Sequence, residues 1–394
     1  MHYTPKFKSL GPLAQLGEHL GDNQKVIGSS PIRATKFKQQ KEFSLMFRQK
    51  KIVSLFIILV LISALSLTTA CKKDVSGKKV VINSLTGELG KKSDVLDKRI
   101  VGLVVENHPE ARPQWGIDDE KYSPDIILQG EVEGGISRTL WLYADYDKLP
   151  ETVGPMRSAR PPFIKFASLF DAVFVHWGMS SSGGNYTGAD YYFNNDVVNH
   201  IDAMSYGEDN ELFGRNRESG RSTEHTGILY GKALSDALSK NSIDKKMNKD
   251  FTTFLKFNRS VKPLSDNECK AVSVTFSSES IDTVDWTYSD DDKLYHTSHF
   301  ENDVARTNIL VLFDNTEYIT KDNGITYCDY SLQKGSGKLI SNNSVIDIQW
   351  INENGKLRLF TQGKDGKEKD VKLNPGKTWI GWVSANNGGS STIN

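Results

Sequence analysis

The sequence predicts an α+β fold, with an N-terminal α/β domain that contains a mixed sheet and a C-terminal domain that is mostly antiparallel β. Two observations predict it. Residues 97–262 combine short apolar runs, typical of buried strands, with segments whose apolar residues recur at helical spacing. Residues 263–387 instead contain short alternating segments separated by turn residues, which favours a small antiparallel sheet or barrel. The change in character sets the expected domain boundary near residue 263.

The predicted elements of the N-terminal domain alternate between strands and helices. Gly134-Gly135 is a hairpin signal between two apolar runs, and Pro161-Pro162 suits the first turn of a helix. The predicted segments are a strand in RIVGLVVEN (99–107), a hairpin in DIILQGEVEGGISRTLWLYAD (125–145), a helix in SARPPFIKFASLF (158–170), a strand in DAVFVHWG (171–178), a short helix around Tyr191-Tyr192 and a helix over Thr226–Ser239.

The C-terminal domain is predicted from short β segments and one strong turn signal. Asn354-Gly355, between apolar residues on both sides, predicts a hairpin. The last residues, 388–394, are expected to form a frayed tail. The expected strands lie in AVSVTFSS (271–278), TVDWTYS (283–289), KLYHTSHF (293–300), TNILVLFDN (307–315), GITYCDYS (324–331), VIDIQWIN (345–352), KLRLFTQG (356–363) and KTWIGWVSA (377–385).

The stretch MFRQKKIVSLFIILVLISALSLTTAC, residues 46–71, resembles a bacterial lipoprotein signal peptide with its lipobox. The resemblance implies cleavage before Cys71 and lipidation of that cysteine, after which residues 71–96 form a polar tether. A plain transmembrane anchor is the alternative, because the apolar run can just span a bilayer. Residues 1–45 are expected to be a non-native extension from a misassigned start, with Met46 as the real one; a genuine cytoplasmic extension is the alternative.

Charge and cysteine content narrow the class of protein. The chain after residue 70 carries 39 Lys and Arg against 46 Asp and Glu, a net charge of −7. Binding to nucleic-acid phosphates requires a positively charged surface, which a mildly acidic exported domain does not favour. No nucleic-acid partner is therefore expected. Cys269 and Cys328 are either joined by a disulfide, which the compartment permits, or are two separate buried thiols.

Five unusual strings occur together and in a fixed order: VENHPEARPQWG, EVEGGISR, VGPMRSARPPF, VFVHWG and NPGKTWI. Together they resemble the YerB-type lipoprotein family, a two-domain family of unknown function, over about residues 97–386. The resemblance implies a membrane-anchored lipoprotein on the extracytoplasmic face of mainly Gram-positive bacteria, and it implies no settled reaction. The chain departs from the family at His296 to His299, where the family often has arginine.

The candidate site residues lie at strand ends and at a helix start, where open α/β sheets place their ligands. Glu106, His108 and His176 are the candidate catalytic residues if the protein is an enzyme. Arg157 and Arg160 flank a helix start, where backbone N–H groups and guanidinium donors favour an anion. The candidate ligand-binding residues are Asn107, Arg112, Glu133, Arg138, Arg157, Ser158, Arg160, Arg215 and His225.

Three of these assignments have structural alternatives. Arg157 and Arg160 could instead pair with Glu131 and Glu133 and pin the hairpin to the helix. His176 could instead be a structural histidine at a strand end, with its ring nitrogens hydrogen-bonded within the protein. His108, His176 and His225 are residue types that bind metal ions, but they are 68 and 49 residues apart and form no local metal-binding motif. Neither a metal nor a cofactor is therefore predicted.

The function predicted from the residues is an envelope lipoprotein that is held on the membrane by lipidated Cys71. It binds a polar anionic ligand or an envelope protein partner outside the membrane. The alternative is a hydrolase or lyase that acts on cell-wall material, with Glu106, His108, His176 and the Arg157/Arg160 pair at its centre. An enzyme requires these groups to converge on one cleft, whereas a binding protein does not.

Overall fold

The computed structural model of the protein describes residues 81–90, 97–119 and 121–394. The predicted signal peptide, Cys71 and the proposed start at Met46 lie outside these residues. Within them, no helix is both long and apolar enough to cross a bilayer. The described residues belong to one compact unit, which contains both halves predicted from the sequence.

The first half of the described chain contains ten strands and three α-helices, numbered here along the chain. The strands are β1 (Val81–Ile82), β2 (Leu89–Gly90), β3 (Val101–Glu106), β4 (Ile126–Glu131), β5 (Ser137–Tyr143), β6 (Thr152–Val153), β7 (Val173–His176), β8 (His200–Asp202), β9 (Phe213–Arg215) and β10 (Gly227–Tyr230). The helices are α1 (Pro161–Ser168), α2 (Ala189–Asn194) and α3 (Leu234–Lys240). Single 3-10 turns lie at Pro109–Ala111, Glu133–Gly135, Ala203–Ser205, Arg217–Ser219, Thr223–His225 and Gly231–Ala233.

The second half consists of strands. They are β11 (Ala271–Thr275), β12 (Thr283–Tyr288), β13 (Tyr295–Thr297), β14 (Val304–Arg306), β15 (Asn308–Asp314), β16 (Thr316–Thr320), β17 (Thr326–Tyr330), β18 (Lys334–Ser341), β19 (Ser344–Glu353), β20 (Lys356–Gln362), β21 (Glu368–Asp370), β22 (Thr378–Ser384) and β23 (Ser390–Ile393). Each predicted C-terminal segment contains one of these strands, and Asn354-Gly355 joins β19 to β20 as predicted.

One mixed sheet runs through both halves. Its eleven strands lie in the order β21-β20-β19-β18-β15-β22-β4-β5-β3-β7-β8. The central strand β22 comes from the end of the chain and pairs in parallel with β15 on one side and with β4 on the other. The second half is therefore not a separate antiparallel sheet, because its last long strand completes the sheet of the first half. The smaller sheets are β6-β10-β9, β14-β13-β12-β11-β23, β16-β17 and β1-β2.

The two faces of the large sheet are covered by different elements. On one face, Trp379 packs with Trp286 of the five-stranded sheet, at 5.6 Å between ring centroids. On the other face, Trp382 contacts Phe166 of α1 at 5.3 Å and Tyr330 at 4.3 Å. Because side chains alternate along a strand, β22 thus places one large ring in each apolar core.

The structure corrects the prediction over Thr226–Ser239. Gly227–Tyr230 is strand β10, and the α-helix begins only at Leu234. Gly227 is a poor helix residue, and a side chain there would meet the ring of Trp177 at 2.8 Å. The fold is accordingly richer in β-structure than the predicted α+β class. The spacing of the leucines favours a helix, but pairing with β6 and β9 stabilises Gly227–Tyr230 as a strand.

Both ends of the described chain are more ordered than the sequence suggests. Within the segment assigned to the tether, β1 pairs with β2 and Leu85 is fully buried. In the predicted tail, Ser390–Ile393 forms β23, which pairs antiparallel with β11 and is the edge strand of the five-stranded sheet. Cys269 and Cys328 are separate buried thiols, which is the second of the two alternatives.

Substitution of Trp382 by Ala should lower the free energy of unfolding by about 3–5 kcal/mol, since it removes a buried indole and its bond to Asp314. Because β22 joins the two halves, the whole described unit should still unfold in a single calorimetric transition. Tyr191→Ala, at an exposed position, should change stability by less than about 0.5 kcal/mol. Two separate transitions, with only one shifted by Trp382→Ala, would show that the halves fold independently.

Candidate functional site

Strand pairing brings the first charged residues of the site together. Glu106, the last residue of β3, lies directly opposite Arg138 in the antiparallel pair β3/β5. Arg157 follows in an extended segment whose backbone N–H donates to the Val104 carbonyl at 3.0 Å, so its side chain emerges beside Glu106. The fold thus brings three of the candidate residues together, Glu106, Arg138 and Arg157.

Glu106 is a buried carboxylate with cationic neighbours. Only 2% of its side chain is exposed, and it forms an ion pair with Arg157. Burial opposes its ionisation, but the imidazole of His225 and the charges of Arg138 and Arg157 outweigh this effect and lower the pKa of Glu106 to about 2. A general acid or base works best when its pKa lies near the operating pH. Glu106 is therefore suited to holding cations rather than to exchanging protons.

Arg157 has an inner and an outer partner. On the inner side it contacts Glu106, and on the outer side its Nη2 donates to Glu224 at 3.1 Å. The side chain of Arg157 is 26% exposed and that of Glu224 is 59% exposed. The guanidinium is thus fixed from behind by a buried carboxylate, while its outward face is covered by a solvent-exposed one.

Arg160 is occupied by Glu133. Nε of Arg160 donates to Glu133 Oε2 at 2.9 Å, Nη2 contacts the other carboxylate oxygen, and Nη1 donates to the Ala159 carbonyl at 2.9 Å. Burial is again the largest influence and opposes ionisation, yet Arg138 and Arg160 lower the pKa of Glu133 to about 2. This bidentate pair ties the tip of the β4–β5 hairpin to the start of α1, as the structural alternative for Arg160 proposed.

The same alternative does not describe Glu131. Its carboxylate accepts a hydrogen bond of 3.0 Å from the Tyr318 hydroxyl, and burial raises its pKa. It therefore belongs to the contact between β4 and the β16–β17 hairpin.

Arg138 lies between the two ion pairs and is buried. Its Nη1 donates to the Ser158 carbonyl at 2.9 Å, while its Nε has no hydrogen-bond partner among the described residues. Burial and the nearby charge of Arg160 lower the pKa of Arg138 to about 10, and Glu133 and Glu106 act in the opposite direction. We refer to Glu106, Glu133, Arg138, Arg157 and Arg160 as the charged network.

A group of two histidines and one glutamate adjoins the charged network, and we call His108, Glu110 and His225 the histidine pocket. The His108 and His225 rings are stacked, with centroids 5.3 Å apart and planes inclined by 10°. One side-chain ligand atom from each of the three residues lies within 4.8 Å of the others. His225 is 3% exposed, and its Nδ1 lies 3.7 Å from Glu106 Oε2. Glu110 was not among the candidate residues predicted from the sequence.

Arg215 positions this pocket from outside it. Its Nη1 donates to the Thr223 carbonyl at 2.7 Å, in the 3-10 turn that ends with His225, and its guanidinium lies over the Trp177 ring at 4.5 Å. Its Nε donates to Glu208 at 2.8 Å. Arg215 therefore supports the loop that carries His225.

His176 belongs to another cluster. Its Nδ1 contacts the Gly178 carbonyl at 2.8 Å, its Nε2 contacts His200 Nδ1 at 3.0 Å, and its ring stacks on Phe193 at 4.8 Å between centroids. Burial lowers its pKa to about 4. These contacts match the alternative of a satisfied histidine, and the structure does not bring His176 into a group with His108 and His225.

Known proteins resemble the chain over both halves. The model of the DUF3048 N-terminal domain, a protein family of unknown function, matches residues 85–244, and the DUF3048 C-terminal domain matches residues 272–380. The chain belongs to the DUF3048 family. The "Putative lipoprotein YerB" of Bacillus subtilis (strain 168) is 29% identical over 310 residues, which cover 76% of this chain and 85% of that protein. The crystal structure of YerB from Bacillus subtilis matches with a TM-score of 0.64 at 27% identity, over 79% of this chain and 99% of that one.

These findings confirm the family predicted from the sequence, a two-domain family of unknown function to which this chain belongs, and they show its similarity to the putative lipoprotein YerB. The signal peptide, the lipidated cysteine and the extracytoplasmic face remain predictions, as do the roles of the individual site residues.

Two residues that join the halves of this DUF3048 protein were not found by sequence reasoning. His299 Nε2 lies 3.1 Å from Asn107 Nδ2, and the pKa of His299 is lowered to about 4 by burial and by the charge of Arg112. Asp282 pairs with Arg112, whose Nη2 also donates to the Asn107 carbonyl at 2.8 Å. Asn107 and Arg112 are thus interface residues here, and no local sequence signal linked them to partners more than 160 residues away.

The Glu133–Arg160 pair predicts a specific acid sensitivity. Because the pKa of Glu133 is lowered from 4.5 to about 2, its stabilisation is present above about pH 4.5 and is lost as the pH falls towards 2. Glu133→Gln should remove up to about 3 kcal/mol at pH 6 and less at pH 2.5. Melting temperatures measured across this range provide the test, with the exposed Glu151→Gln as the control. Equal losses at both pH values would contradict the assignment.

Proposed function

We propose that this protein is a membrane-anchored, extracytoplasmic binding lipoprotein, whose Arg157 takes up an anionic group of a ligand or of an envelope protein. The observation that carries the proposal is the two-sided environment of Arg157. Glu106 fixes the guanidinium from the buried side, and the exposed Glu224 covers the outward side. The guanidinium is thereby held ready for a second carboxylate or a phosphate.

Replacement of Glu224 by an external anion costs little. Ion pairs between exposed side chains contribute about 0–1 kcal/mol, because water solvates both partners well. The inner pair is different, since removing a partner from a buried pair costs about 3–5 kcal/mol. An incoming anion therefore competes with Glu224 and leaves the bond to Glu106 in place. Arg160 is less suited to this role, because Glu133 holds two of its nitrogens in a mostly buried pair.

The geometry favours binding over the alternative of a cell-wall hydrolase or lyase. Among the described residues, His176 makes its contacts with Gly178, His200 and Phe193, whereas His108 stacks on His225. The low pKa of Glu106 also keeps it ionised at neutral pH, so it holds no proton to give to a leaving group.

Removal of the Glu224 carboxylate should tighten anion binding rather than weaken it. Glu224→Gln removes the competing carboxylate and should tighten binding of inorganic phosphate by up to about fivefold, which corresponds to the contribution of one exposed pair. Arg157→Gln should abolish the binding. Isothermal titration of the detergent-solubilised chain measures both variants. Glu211→Gln, which breaks an exposed pair with Lys240, is the matched control and should leave affinity unchanged. Unchanged affinity in Glu224→Gln would argue against the proposal.

The membrane anchor is proposed from Cys71 and its resemblance to a lipobox. Two acyl groups at one terminus suffice for stable anchoring, whereas a single chain is marginal. Cells that express Cys71→Ala should show no incorporation of a palmitate analogue into the protein, whereas the unmodified chain should be labelled. Cys328→Ala, at a buried thiol, is the control and should be labelled normally. Labelling of the Cys71→Ala variant at the level of the unmodified chain would exclude this anchor.

A further inference from the structure

We propose that the histidine pocket, formed by His108, Glu110 and His225, binds a divalent transition-metal ion of the zinc class. The proposal does not depend on anion binding at Arg157. It concerns the three residues whose ligand atoms the fold gathers within 4.8 Å of one another.

The spacing of these atoms suits one metal ion. His225 Nε2 lies 3.7 Å from Glu110 Oε2. Two ligands bound at about 2.0–2.1 Å in a tetrahedral site lie about 3.3 Å apart, so closure around the ion requires a side-chain adjustment of less than an ångström for this pair. Glu110 is exposed and lies in a single 3-10 turn, so its side chain has room to make that adjustment.

The buried position of His225 also suits a metal ligand. The residue is 3% exposed, and its Nε2 faces the carboxylates of Glu110 and Glu224, at 3.7 and 3.8 Å. A metal ion bound to Nε2 would lie between the His225 ring and these carboxylates, and Nδ1 would remain directed towards Glu106.

The carboxylate of Glu106 is placed to hold the His225 ring in the orientation that a metal ligand needs. Histidines that bind a metal through one nitrogen usually direct the N–H of the other towards a carboxylate, which fixes the ring and makes it a stronger ligand. Nδ1 of His225 lies 3.7 Å from Glu106 Oε2, and Arg157 holds that carboxylate in place. A small shift of the ring would bring this pair within hydrogen-bonding distance.

The donor set selects the class of metal. Two imidazoles and one carboxylate suit zinc and its neighbours, whereas calcium and magnesium favour sites built of oxygen ligands. Three protein ligands leave a fourth position for water or a ligand group. His108 Nδ1 accepts a hydrogen bond of 3.2 Å from the Glu110 backbone N–H, and His108 must give up this long bond to bind an ion through either nitrogen.

The test uses the full-length chain in detergent, stripped of metal by a chelator and then titrated with Zn²⁺. We expect one ion per chain, and we expect His108→Ala and Glu110→Gln each to weaken binding by about 100-fold or more. Glu106→Gln should weaken it by about 10–100-fold, as for other outer carboxylates. Co²⁺ in place of Zn²⁺ should give the intense visible absorption of a tetrahedral site, and this absorption should be lost in the His108 variant.

The control is His296→Ala. His296 is a partly exposed histidine between Asp292 and Asp303, so its variant removes a histidine flanked by carboxylates outside the proposed site. Affinity should be unchanged in this variant. Stoichiometric binding that persists in both His108→Ala and Glu110→Gln, or that disappears in His296→Ala, would overturn the proposal, as would the absence of stoichiometric binding in the unmodified chain. Because His108 and Glu110 are not buried, these variants decide the question even if His225→Ala fails to fold.

Discussion

The parallel pairing of β22 with β4 holds the molecule together. It places a strand from the end of the chain at the middle of an eleven-stranded sheet, between strands of the first and second halves. Trp379 and Trp382 then project into opposite apolar cores, so both cores depend on the same strand. The charged network lies on β3 and β5 and on the loops beyond them, and its geometry rests on this sheet.

Buried charges are expensive unless they are paired, and the fold pairs them through strand register. Glu106 faces Arg138 across β3 and β5, and the hairpin tip carries Glu133 to Arg160 at the start of α1. The result is a charged network whose inner members are fixed and whose outer member, Arg157, reaches solvent. The histidine pocket adjoins this network through Glu106, so one buried carboxylate supports both an arginine and a histidine.

Local sequence signals predicted most elements, and long-range pairing accounts for most of what they missed. The hairpin at Gly134-Gly135 and the helix that begins at Pro161 depend on neighbouring residues, and both are present. Strand β18 was not predicted because its glycines interrupt the alternation of apolar and polar residues that indicates a strand. Glycine is needed at Gly335, where a Cβ atom would lie 1.9 Å from the Phe313 carbonyl oxygen. In the site, Glu106 and Arg138 could be inferred to converge from strand ends, whereas Glu110 joined His225 only through the fold.

The position of β22 also fixes the order in which the molecule can be completed. Residues 378–384 are synthesised long after β4 and after β15, so one edge of each of these strands stays open until β22 emerges from the ribosome. Exposed strand edges invite pairing with other chains. Contacts between strands so distant in sequence also form slowly, because a long loop must close first. Correct completion of the sheet therefore depends on β4 and β15 remaining unpaired with other chains until β22 has been made.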